Sequence, residues 1–165
     1  MNNDAYKTAV LAQFEGSLDM LADCVRRCPA KHWNGIIGTY PFWQVAHHAL
    51  SFVDFYAARS AAEWTPHETY LPKGRRDLDA EYPSRSFSKR EILDYLEYCN
   101  GRVRESLARE TARSLAGPSG FPRLKMTRAE VPIYNLRHLQ HHVGQLSAHL
   151  RRAKVNTRWG WRGRT

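Results

Sequence analysis

Apolar residues recur along most of this chain at spacings of three and four, the period of a helix with one buried face. Between about Asp4 and Cys28, the residues Val10, Phe14, Leu18, Leu21, Val25 and Cys28 form one such stripe, which Pro29 stops. A second helix is expected to begin near Pro41, a favourable first helical position, and to continue through PFWQVAHHALSFVDFYAARSA. A third starts at Ser88, where Ser88 and Glu91 fit a capping box. Its stripe is Ile92, Leu96, Cys99, Val103 and Leu107, and Gly117-Pro118 ends it at the latest. The fourth lies between about Thr127 and Lys154, with Leu139, Val143, Leu146 and Leu150 as its apolar face. Thr127 and Glu130 also fit a capping box, but Pro132 would then sit one turn inside, so the start is either Thr127 or nearer Glu130. No segment alternates convincingly with the period of a strand.

The connections are uneven. Roughly a dozen residues separate the first helix from the second, and the third from the fourth. About 25 residues rich in Pro, Gly and charge (EWTPHETYLPKGRRDLDAEYPSRS) separate the second from the third. A connection that long inside a compact domain needs a reason. A crossover running the length of a bundle supplies one, and it makes the second and third helices parallel. The expected fold is therefore all-α, a four-helix bundle in up-down-down-up order. Residues 1–155 would form a single domain and 156–165 a basic C-terminal tail.

Composition adds limits. With 165 residues, 42% of them hydrophobic and 25% charged, the chain is an ordinary globular sequence able to bury a core without metal clips. Cys24, Cys28 and Cys99 are odd in number, and one helical turn between Cys24 and Cys28 is poor disulfide geometry. The N-terminus does not read as a secretory signal, and no apolar run approaches a bilayer-spanning length. A cytoplasmic protein with reduced thiols is expected. The formal charge of +9 suggests phosphate partners. Six of those charges fall in the last fifteen residues (Arg151, Arg152, Lys154, Arg158, Arg162 and Arg164), which leaves +3 for residues 1–150. The basicity is a tail property, and no recognised DNA or RNA module accompanies it.

The chemistry concentrates in histidines. His138 and His142 stand four residues apart, so their side chains share one helical face about 5–6 Å apart, close enough for one metal ion. Asn135, His138, His142, Gln145 and His149 form a polar stripe beside the leucine stripe rather than opposite it, which brings the histidines to the edge of the core. Gly144 would allow a neighbouring helix to come close. The second helix offers His47 or His48. At about 100° per residue, His48 lies within about 60° of Val45, Phe52 and Phe55 and looks into the bundle, whereas His47 lies with Trp43, Ser51 and Asp54 at the periphery. A His-x-x-x-His pair alone is more often two surface or core histidines; an inward histidine on a second helix is what argues for a metal. Three neutral imidazoles leave an open coordination position, a catalytic rather than structural arrangement. Gln145, Asn135 and His47 are the residues expected to support the ligands or contact substrate. Without an HExxH glutamate, protease chemistry of that kind is not indicated. Zinc, nickel, cobalt and iron all accept imidazole, with zinc or nickel leading.

PFWQVAHHALSFVDFY, followed much later by YNLRHLQHHVGQLSAHL, resembles the DinB/YfiT-like superfamily of bacterial proteins. HHVGQ is similar to that family's His-x-Gly-Gln ending, with Val143 where many members carry Arg. The likeness spans almost the whole chain, the crossover included. It implies His48, His138 and His142 as metal ligands, an up-down-down-up bundle and homodimerisation. It also implies thiol-dependent transferases and isomerases acting with mycothiol or bacillithiol, or metal-dependent hydrolases. The leading expectation is a metal-dependent enzyme that activates water or a thiol, with a low-molecular-weight thiol as the organic cofactor. The alternatives are a non-catalytic module that binds a metal or small molecule, and nucleic-acid binding through the tail.

Overall fold

A computed structural model of the chain describes residues 3–79 and 83–160. The first periodic stripe folds as α1 (Asn3–Arg27), followed by a single 3-10 turn at Ala30–His32. A two-stranded antiparallel hairpin comes next, β1 (Ile36–Ile37) against β2 (Tyr40–Pro41), with Ile36 opposite Pro41 and Ile37 opposite Tyr40. Then follow α2 (Phe42–Ala57), a short α3 (Arg75–Asp79), α4 (Lys89–Arg109), a short α5 (Ala112–Ala116) and α6 (Glu130–Arg152). The described chain is helical apart from this hairpin and its loops. Among the described residues no helix is long and apolar enough to cross a membrane.

The helix starts follow their caps. The Ser88 side chain accepts from the Glu91 amide, and the Glu91 carboxylate accepts from the Ser88 amide at 2.8 Å, so α4 starts on a complete capping box. At α6 the choice falls on Glu130, which puts Pro132 in the first turn, where its missing N–H has no helical partner to lose. Thr127 still donates through its amide and hydroxyl to the Glu130 carboxylate, each at 2.8 Å.

α2 stops four residues short of the expected Ala61, and the reason is tertiary. Ala58 turns extended, and the loop after α5 docks there: the Ala61 amide donates to the Gly120 carbonyl at 3.0 Å. Gly120 has a positive φ of 83°, and a Cβ at that position would collide with the Arg59 carbonyl oxygen.

The four long helices surround one core in which α2 packs on both α4 and α6, as does α1. Leu21 and Val25 of α1, Leu50 and Val53 of α2, Ile92 and Cys99 of α4, and Leu139 and Leu146 of α6 are all sealed from solvent. All three cysteines are buried free thiols. Their neighbours fix which ends meet. Lys89, opening α4, donates to the Cys28 carbonyl just after α1. His47 near the start of α2 stacks on Phe87 just before α4. Phe42 at the start of α2 faces His149 near the end of α6, and Tyr6 near the start of α1 donates to the Ala129 carbonyl just before α6.

The long connection between α2 and α4 is pinned at several points. Trp64 donates from its indole to Asp54 at 3.1 Å, and Arg85 pairs with Glu91 at 2.7 Å. Trp64, Leu71 and Leu78 form a second apolar cluster with Phe55, Phe121 and Val131. This cluster covers the face of α2 that the main core leaves open, so nearly the whole of α2 is buried.

Candidate metal centre

His48 sits in the second turn of α2, and His138 and His142 stand one turn apart on α6, the helix packed against it. The three rings meet, with centroids 5.3 Å apart for His48–His138, 4.8 Å for His48–His142 and 4.6 Å for His138–His142. One ring nitrogen from each lies within 4.8 Å of the others, so the group could hold a metal ion. Phe52 closes one side of the cluster, 4.8 Å from the His48 ring and 5.0 Å from that of His138.

Hydrogen bonds orient one of the rings. The Nδ1–H of His142 donates to Gln145 Oε1 at 2.9 Å, and the Gln145 amide donates to His141 Nε2 at 3.2 Å. A neutral His142 then carries its lone pair on Nε2, which accepts from the Nε2–H of His138 at 3.2 Å. Two nitrogens bound to one ion at about 2.0–2.1 Å stand about 3.0–3.4 Å apart, so this pair is already at ligand spacing. Nδ1 of His138 is buried with no hydrogen-bond partner.

A metal requires unprotonated imidazoles, and the surroundings favour them. Burial, followed by repulsion from His142 and His47, pushes His48 down to about 4. Burial and the neighbouring histidines push His138 down to about 3. His142 is also lowered by burial, against the opposing pull of its Gln145 bond. Neutral nitrogens at metal-ligand spacing, with no carboxylate among them, suit a divalent ion that accepts imidazole.

The cluster opens on a cavity of about 640 Å³. The hairpin, α2, Leu78 of α3, the loop carrying Arg123, and His142 and Gln145 of α6 wall it. Arg123 is the only formally charged side chain among the described lining residues, and none of them is a carboxylate. The sequence reading missed the hairpin wall and Arg123. The one available signal was Gly38-Thr39 between Ile37 and Tyr40, a two-residue turn with Gly38 at a φ of 63°.

Two residues expected to support the ligands make their hydrogen bonds elsewhere. Asn135 donates to the Val53 carbonyl at 3.2 Å. His47 is not peripheral: it is 2% exposed, donates through Nε2 to the Tyr70 carbonyl at 2.9 Å and stacks on Phe87 at 4.4 Å. The crossover buries the side of α2 that helical angles alone leave outside. His149 faces His32 and Phe42 rather than the cluster. Gly144 brings no helix close, since a Cβ there would meet nothing within 4 Å. Val143 points into the apolar core at 1% exposure, so no anion contact comes from that position. Cys24 and Cys28 stay out of the site, and burial pushes their thiols up to about 12 and about 11.

Comparison with known proteins is consistent with this geometry. A family model described as the DinB superfamily matches residues 13–146, a span that includes all three histidines and Gln145. No curated protein matches the chain.

Proposed function

The chain belongs to the DinB superfamily, and from that premise we propose that His48, His138 and His142 together hold one divalent transition metal and present it to a small molecule in the adjoining cavity. The observation that carries this reading is the convergence of three neutral imidazoles from two helices, two of which, His48 and His142, line a cavity of about 640 Å³. An ion held there by the three histidines would supply Lewis-acid chemistry, lowering the pKa of a water or thiol. Gln145 holds the His142 ring and its tautomer, while Phe52 excludes water from one flank. Zinc or nickel is the ion we propose, both of which accept imidazole donors as cobalt and iron do, and hydrolysis or thiol transfer is the chemistry. The same reading takes the bundle as up-down-down-up, which the contacts between helix ends support.

A second reading has an observation of its own. No carboxylate lines the cavity among the described residues, so no obvious general base stands beside the metal. A module that binds a metal or small molecule without turning it over needs none. Metal per chain, measured in protein purified without a histidine tag, tests the site. About one equivalent is expected, lost in His138→Ala and His142→Ala; unchanged occupancy in those variants would sink the ligand assignment. Thiol conjugation and ester or amide hydrolysis, screened with metal-free protein as control, separate enzyme from module.

A further inference from the structure

Arg123, an exposed residue, lines the cavity from a built turn. Phe121-Pro122-Arg123-Leu124 closes with the Leu124 amide donating to the Phe121 carbonyl at 2.9 Å, with Pro122 at the position where a fixed φ suits a β-turn. The Ser119 hydroxyl, itself 3% exposed, accepts from the Phe121 amide at 3.1 Å and faces the carbonyls of Phe121 at 3.1 Å and Leu124 at 2.8 Å. Phe121 plugs the turn into the second apolar cluster, 5.0 Å from the Phe55 ring and 5.1 Å from that of Tyr56. The Gly120 contact with the end of α2 fixes it from the other side. The turn fixes the backbone from which the exposed Arg123 side chain extends.

Among the described residues Arg123 pairs with no carboxylate, and the group its charge acts on is the neutral Tyr56 phenol. One guanidinium and two imidazoles of the three-histidine cluster, His48 and His142, line the same cavity of about 640 Å³, a size suited to one small organic molecule. Guanidinium forks match the oxygens of carboxylates and phosphates.

We propose that this site selects a small organic anion, whose carboxylate or phosphate pairs with Arg123 while its other end reaches His48 and His142. The inference rests on the metal reading above and adds the substrate class.

The test uses the full chain loaded with cobalt(II), whose thiolate charge-transfer absorption reports a thiol on the metal. Wild-type protein is titrated with 3-mercaptopropionate and with neutral 2-mercaptoethanol, and the preference is compared with that of Arg123→Gln and Arg123→Lys. The anion should be preferred about tenfold over its ratio in Arg123→Gln, with Arg123→Lys in between and cobalt uptake equal in all three. An equal ratio in wild type and Arg123→Gln overturns the proposal. If cobalt is not taken up at all, the metal reading has failed, and the anion site is judged on metal-free protein. There, a shift of the Arg123 Nε–H resonance with inorganic phosphate or with succinate supports it and says which oxyanion is recognised. No shift with either overturns it.

Discussion

His47 and His48 are neighbours in sequence and opposites in surroundings. His47 lies on the crossover side of α2, sealed at 2% exposure, with a carbonyl accepting its proton and Phe87 stacked on its ring. His48 lies on the α6 side, is less buried, and makes no ring hydrogen bond among the described residues; its ring neighbours are two more imidazoles and Phe52. Burial alone would single out His47. Partners single out His48, because a fully satisfied side chain has nothing left to offer a ligand, whereas a ring whose neighbours are two more imidazoles keeps its nitrogens for one.

The largest effects should come from exchanging the two residues. His48→Ala is expected to lower metal affinity more than a hundredfold while the bundle stays folded. His47→Ala should do the reverse, keeping about one metal per chain while losing about 2 kcal/mol of stability through the unpaired Tyr70 carbonyl and the lost ring contact. Metal analysis and thermal denaturation on both variants check this. Metal loss in His47→Ala with a normal melting curve would erase the distinction.

The next test asks whether the crossover side of α2 is structural throughout. Asp54 is fully buried, 3.2 Å from Arg102 and bonded to Trp64. Burial raises its pKa despite both partners, so the pair offsets only part of the carboxylate's lost hydration. Asp54→Ala should still cost about 3 kcal/mol, because it strands the Arg102 guanidinium and the Trp64 N–H. Metal content should not change. A denaturant titration measures the first, and metal analysis the second.

On the α6 side the corresponding change is subtler. Gln145→Leu keeps the bulk but removes the acceptor that fixes the His142 tautomer. Metal affinity should fall about 10–100-fold, measured by competition with a chelator, with stability of the metal-free protein little changed.

How much of this could be read from sequence follows the same division. Helical stripes, the Ser88–Glu91 box and the edge position of His138 and His142 are local properties, carried by spacings of three and four. The face of His48 was legible for the same reason, since Val45, Phe52 and Phe55 lie on its own helix. Whatever depended on the crossover or the loops was not legible. Helical angles left His47 outside because they know nothing of Phe87 and Tyr70, which arrive from residues far along the chain. The end of α2 at Ala57 is set by Gly120, and the charge in the cavity comes from a turn with no periodicity to detect. The residues 80–82 and 161–165 lie outside the described chain, the latter with the tail arginines Arg162 and Arg164.

The smallest effect is one the two histidine faces share, and its sign is fixed. His47, His48, His138 and His142 all have folded pKa values below the ordinary imidazole value, chiefly because burial penalises the charged ring. As pH falls, the unfolded chain takes up these protons first, near pH 6.5, so it binds more protons than the folded chain. The stability tied to neutral rings is complete above that pH and drains away as pH falls toward the folded values, about 4 for His48 and about 3 for His138. Metal-free protein should therefore have a melting temperature that is flat above about pH 7 and declines steadily below about pH 6. His47→Gln and His48→Gln should each make the decline shallower by one group, since either removes one buried titrating ring. If His48→Gln leaves the slope unchanged while His47→Gln flattens it, the ring of His48 is solvated in solution, and the contrast between a sealed and a ligand-ready histidine must be redrawn as one between buried and exposed.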